Sequence, residues 1–413
     1  MNRTHIHWTL VAAIVGVAAL AVVALAPAPV AGGVVSRTLT RLEEPVILYG
    51  QNVPLLLERP SRELFVYTFR EGALKEIPSQ VDHMSAEMVY TSTVGLPLAI
   101  TDQIVFMAAD LGDRAAADDV GAALAISPYW YEIEVTDPLS PTLKGWAYVI
   151  HSETLTHTAA LPYVALDVGT ERIQTPVYVL GFADNHPGFD YLALSGSGVD
   201  ILDRTKIRLD TLLGPVNEEN IGPQPLDLIK NGPVRVIARQ GAVIAYRSLL
   251  HMVIKEPLPS VVTAARVSTD FSSAATPGMF YNANTPGGVP VDGVPDTVAA
   301  TPVSPWWQLS CATGNVVQVV DDASDVGGTQ TNYYRDNSAP DLGDAGDNRS
   351  YCDVGIAAAN PMAHIALLSA YVFLPVAPAN AGAQVALYVA NPLQVSAKEQ
   401  TLTKVVSIPL VLR

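Results

Sequence analysis

The chain has 413 residues, with 24 Lys and Arg against 40 Asp and Glu, 49% hydrophobic and 15% charged residues, 31 Pro, 29 Gly and two Cys. That length is ample for more than one domain with a real core, and the apolar content excludes disorder, which goes with few apolar residues and high charge. A net charge of −16 argues against nucleic acid, because phosphate binding needs a basic surface to release counterions; two Cys and no Gly-X-Y period exclude disulfide-scaffold and collagen-like chains.

Residues 1–33 read as a targeting segment: Arg3, an apolar stretch of 19 residues from Trp8 to Ala26, then a small-residue tail through Ala31, Gly32 and Gly33. A positive start, an apolar centre and a small-residue end are what the secretory machinery recognises. Cleavage near Ala31 or Gly32 is expected, and an uncleaved anchor is the alternative, since the stretch is long enough to span a bilayer. Either outcome exports the chain to an extracellular, cell-surface or periplasmic location. The best later apolar run, His364 to Ala377, is too short to span.

Beyond the leader the sequence alternates. Glu63–Arg70, a turn at Glu71-Gly72 and a return over Leu74–Val81 predict a hairpin. Further strands are expected at Gln103–Ala108, Trp130–Val135, Trp146–His151, Pro176–Gly181, Val234–Arg239, Ala242–Ile254, Val261–Val267, Trp306–Ser310, Val316–Val320, Ile365–Leu374, Gln384–Val389 and Lys404–Leu412. Short helices are placed at Ala115–Leu124 and Leu226–Lys230, and Pro138-Leu139-Ser140-Pro141 looks like a linker. The pattern is all-β: antiparallel β-sandwiches, a smaller one over 33–160 and a larger one over 161–413.

Charge is segregated along the chain. Asp203 to Lys255 carries eight basic residues against five acidic ones, and Arg204, Lys206 and Arg208 alternate, so a strand places them on one face. With Arg235, Arg239, Arg247 and Lys255 they form a candidate strip for an anionic ligand, Arg serving as a bidentate fork; the simpler reading is a wet sheet face whose bases pair with nearby Asp. His251, spaced evenly between Arg247 and Lys255, is the candidate general base. Asp82-His83 and Asp184-Asn185-His186 are further polar clusters.

Asp292 to Asp353 is the reverse, with ten Asp and only Arg335 and Arg349 opposing them. Asp336, Asp341, Asp344 and Asp347 are the candidate ligands for calcium as a cofactor; turn chemistry is the alternative, and the spacing is not that of an EF-hand. Cys311 and Cys352 bracket its densest portion, Asp336 to Asn348, and, in an oxidising compartment, predict one disulfide. Trp306-Trp307 and Tyr333-Tyr334 are candidate aromatic platforms for sugar, or ordinary packing. No Gly-x-Ser-x-Gly elbow, His-Glu-x-x-His, phosphate loop or dinucleotide fingerprint is present.

Asn231-Gly232-Pro233-Val234-Arg235-Val236, the Trp-Trp and Asp-rich loops and a closing strand over Ala386–Pro392 resemble exported proteins with a galactose-mutarotase-like β-supersandwich. The resemblance implies a surface facing sugar and leaves catalysis open, because a fold hosts many functions. The leading expectation is an exported β-sandwich protein that binds polysaccharide or other cell-envelope components, or is structural, without catalysis. The alternatives are a lyase or related enzyme acting on an acidic glycan, and a membrane-tethered subunit of a surface complex.

Overall fold

The computed structural model describes residues 34–401 apart from 117–118, 121–128, 159–160, 240–241, 322–323, 326, 342–343, 345–348 and 362–363. The expected leader, most of the expected helix at 115–124 and the expected strand at 404–412 lie outside the described residues. The fold is all-β, built of antiparallel sheets with only short helices between them.

In the first sandwich, strand Leu64–Arg70 is buried on both faces because both alternations are apolar. Leu64 and Val66 enter one core, while Phe65 and Phe69 enter another. The expected return strand divides in two. Ala73–Glu76 completes the hairpin, but Pro78 lacks an N–H, and Ser79–Asp82 departs to pair with Gln103–Met107 in a three-stranded sheet whose other edge is Pro45–Tyr49. The expected linker is no linker: residues 138–139 turn a hairpin that joins Tyr129–Asp137 to Ser140–His151, and residues 140–141 open the second strand. The last described strand, Gln394–Thr401, pairs with residues 129–136 of Tyr129–Asp137, so this later part of the chain completes the first sandwich across the division drawn near 160.

The second sandwich sets a nine-stranded sheet against a five-stranded and a four-stranded one. Phe271 and Val354 from the five-stranded sheet, Leu180 and Leu192 from the four-stranded sheet, and Trp307, Tyr371 and Phe373 from the nine-stranded sheet share one core. The three-stranded sheet joins the two sandwiches. Every residue of Gln103–Met107 is buried: Ile104 and Phe106 face the first core, Val105 and Met107 meet Val234, Tyr246, Leu249 and Ala370.

Two helical expectations reverse. Leu228–Asn231 is a strand, and the nearby helix is Glu218–Ile221, capped where the Asn217 side chain accepts from the Asn220 amide. Residues 384–389, expected as a strand, belong to helix Gly382–Ala390, so no closing strand forms over 386–392. Its Ala, Gln and Leu favour a helix, and Val385, Ala386 and Val389, at helical spacing, pack over Trp306, Val317 and Val319. Gly382 is required there, since a Cβ would lie 2.1 Å from the Trp306 ring. The Arg41 guanidinium donates to the carbonyls of Tyr388 and Asn391, at 3.0 and 2.9 Å, closing the helix end.

The expected disulfide is absent: Cys311 and Cys352 are both free thiols. They stand on opposite sheets, Cys311 in Trp306–Cys311 and Cys352 in Ser350–Ala359. Facing sheets lie about 10 Å apart, and the Cys311 sulfur is instead 3.3 Å from Thr313 Oγ1 and 3.4 Å from the Gly314 carbonyl. Burial pushes the Cys352 thiol well above its ordinary pKa.

Candidate functional site

The outer face of the five-stranded sheet holds the densest polar assembly. Its strands run in the order Gly214–Val216, Leu202–Thr211, Val262–Phe271, Ser350–Ala359 and Thr329–Asn337. Register places Arg208 opposite Arg266, Arg266 opposite Ala357, and Gly355 opposite Tyr333, so alternate residues of four strands share one face. Ile207 and Val267 face inward; Arg204, Lys206, Arg208, Arg266, Asp270, Asp353 and Tyr333 project outward.

The basic strip meets the acidic stretch here. Lys206 is fully buried, with its ammonium 2.5 Å from Asp270, 3.4 Å from Asp344 and 3.5 Å from Asp353. Arg208 pairs with Asp344 at 2.6 Å and with Glu218, Arg204 pairs with Glu219 at 2.5 Å, and Arg266 lies 3.3 Å from Asp344. Burial opposes ionisation of Asp344, but the Arg208 hydrogen bond and the charges of Lys206 and Arg266 outweigh it and hold this carboxyl below the usual range. Burial, and then the charge of Asp353, push the Tyr333 phenol upward, keeping it a neutral donor at physiological pH.

Beside this assembly runs an open groove of about 600 Å³. Ala264, Ala357 and Ala359 form its floor; Arg208, Asn217 and Asn220 stand on one side, Thr331 and Tyr333 on the other, with Asp341 and Asp344 also lining it. The Arg266 guanidinium lies 4.1 Å over the Tyr333 ring, and its Nε has no hydrogen-bond partner among the described residues. Small residues leave room in the middle, and planar polar groups border it.

The structure separates the other predicted site residues from this groove. Arg235, Arg239, Arg247, His251 and Lys255 lie on or beside strands of the nine-stranded sheet. Arg235 is completely buried, donating to Asp82 at 2.8 Å, Tyr246 at 2.9 Å and Gln103 at 2.5 Å. Arg239 lies over the Phe182 ring and donates to the Gln224 carbonyl at 2.6 Å; Arg247 is 3.5 Å from Glu43. Lys255 is exposed opposite Ala366. His251 is held below its ordinary pKa by burial first and by the charge of Arg235 second, and is neutral at pH 7. The strip is therefore two separate groups of cations on two sheets.

Nor do the described calcium candidates converge. Asp336 is buried and accepts from the backbone amides of Asp292 and Gly293, at 2.9 and 3.0 Å, which is turn chemistry. Asp341 stands 3.8 Å from Arg335, Asp344 sits among three cations, and Asp347 lies outside the described residues. Trp306 and Trp307 are not a platform: both are buried, Trp307 edge-on to Phe271 and Tyr371. Tyr334 turns inward against Phe280, with ring centroids 4.5 Å apart. Of the four aromatics only Tyr333 reaches the groove.

Arg266, Asn217, Asn220, Asp270 and Asp353 had not been singled out. The alternation in Arg266-Val267-Ser268-Thr269-Asp270 carries the signal for two of them, but the partner strands are set by tertiary pairing. Comparison with protein-family models gives no match, and comparison with curated proteins gives none either.

Proposed function

We propose that this is an exported, envelope-facing protein that binds an uncharged saccharide segment in the groove of the five-stranded sheet. The observation that carries the reading is the groove's lining: Arg208 and Asn217 opposite Tyr333 and Thr331, above an alanine floor. Vicinal hydroxyls are met by planar groups that donate and accept in pairs, and a sugar's C–H face suits a small apolar floor. A volume of about 600 Å³ is within the range of small-ligand sites.

Charge selects the ligand class. Arg208 and Arg266 reach the groove already paired with Asp344, and Lys206 is enclosed by three carboxylates, so a uronate or sulfate would meet compensated cations. This favours a neutral glycan over an acidic one, and binding over lyase chemistry, because His251 belongs to another sheet. Binding of residues 34–413 to arrays of neutral and acidic glycans tests the reading. The expected result is retention of a neutral glycan, weakened about tenfold or more by Tyr333→Ala, a loss of roughly 1.4 kcal/mol. Equal retention by the variant, or binding confined to acidic glycans, would overturn it.

A further inference from the structure

A second polar constellation lies in the first sandwich. Asp82 pairs with Gln103, so His83 and Asp102, the next residues outward, are neighbours at one end of this strand pair. Asp102 Oδ2 is 2.7 Å from His83 Nδ1, and this carboxylate is also held by the Met84 and Ala99 amides at 2.9 and 2.8 Å. Donation from Nδ1 to Asp102 leaves Nε2 as the acceptor. That nitrogen is 3.3 Å from Ser61 Oγ. His83 and Asp102 are buried, while Ser61 is half-buried at the head of the turn Ser61–Glu63.

We propose that Ser61, His83 and Asp102 form a nucleophile, base and orienting acid for hydrolysis of esters with an apolar acyl chain, an activity separate from the groove. Such a triad is recognised by geometry and roles, not by chain order or a surrounding motif. The acyl preference follows from the loop against the serine: Pro60 bridges to Pro97, and Met88, Val89, Val94, Leu96 and Ile100 of that loop are all exposed.

In the reaction, Ser61 Oγ bonds to the acyl carbon as its proton passes to His83 Nε2. The C–O bond to the leaving alcohol then breaks, and His83 returns that proton to the departing oxygen. Water bonds to the acyl carbon of the acyl-serine and gives one proton to His83; the acyl–Oγ bond then breaks and Ser61 Oγ recovers that proton, so the products are an alcohol and a carboxylic acid, with no change of oxidation state.

The test uses the full chain with p-nitrophenyl acetate, butyrate and hexanoate, and a fluorophosphonate probe followed by peptide mass mapping. Expected are p-nitrophenolate release that rises with acyl length, one adduct on Ser61, and a rate lowered about a hundredfold or more by Ser61→Ala, with the circular dichroism of the variant unchanged. Asp102→Asn is expected to lower the rate while Ser61 still labels slowly. No adduct on Ser61, an adduct elsewhere, or an unchanged rate in Ser61→Ala overturns the activity; a rate that falls with acyl length overturns the substrate class.

Discussion

Lys206 and Arg235 are both completely buried cations, yet they are solved in different ways. Arg235 faces one carboxylate, Asp82, and spends its remaining donors on the neutral oxygens of Tyr246 and Gln103. The Gln80 carbonyl accepts from the amides of Val234 and Arg235, so the cation closes a satisfied network where the two sandwiches meet. Lys206 instead stands among Asp270, Asp344 and Asp353, with Arg208 and Arg266 balancing the excess negative charge. One cation joins two cores and is nearly neutral in its surroundings. The other sits in a charge-dense wall whose polar rim borders a groove.

The largest expected effect tests that asymmetry directly. Lys206→Met leaves buried carboxylates without their ammonium and is expected to cost about 5 kcal/mol, the upper end for a broken buried pair; urea unfolding measures it. No single Asp→Asn change should restore the loss, because several carboxylates share the cation. Arg235→Met is expected to cost about 3–4 kcal/mol, and here the double variant with Asp82→Asn should recover much of it, since only one carboxylate is stranded. Full rescue of Lys206→Met by one Asp→Asn change would erase the distinction.

A smaller effect lies in pH dependence, where the two regions respond in different windows. The native pKa of His251 lies below its unfolded value of about 6.5, so the unfolded chain binds the extra proton. Stability is therefore lost as pH falls from about 6.5 through the native value, and His251→Gln should flatten that limb. The native pKa of Asp344 also lies below its unfolded value of about 3.9. Its contribution is full above that value and is lost as pH falls through the native pKa. Hydrogen exchange should show the 202–211 strand retaining its protection through the window in which His251 titrates and losing it below about pH 4.

Much of the fold was legible along the chain, because a strand with one or both faces buried writes its period into the sequence. Leu64–Arg70, Trp306–Cys311 and His364–Leu374 were all placed within a residue or two. Residues 384–389 were misplaced because Val-Ala-Leu-Tyr-Val suits a strand, whereas Ala-rich flanks and the sheet beneath favour the helix. The strands Thr329–Asn337 and Ser350–Ala359, which flank the Asp-rich loop over 336–348, were not expected, because Asn, Asp, Ser and Gly mask their alternation. At the groove, the alternation of Arg204, Lys206 and Arg208 correctly put three cations on one face. What it could not supply was the counter-charges of Lys206, namely Asp270, Asp344 and Asp353, which lie far along the chain and on other strands or loops.

The sequence by itself determined the all-β class and the separation of positive and negative segments, since both are local properties of period and composition. Only the tertiary structure decided what the charges do. Pairing between distant strands lays Asp270, Asp344 and Asp353 over Lys206, sends Arg235 into a different interface, and brings Ser61 to His83 and Asp102. The physical reason is that period fixes which face a side chain occupies, whereas its electrostatic partner is set by sheet order and register, which non-local pairing establishes.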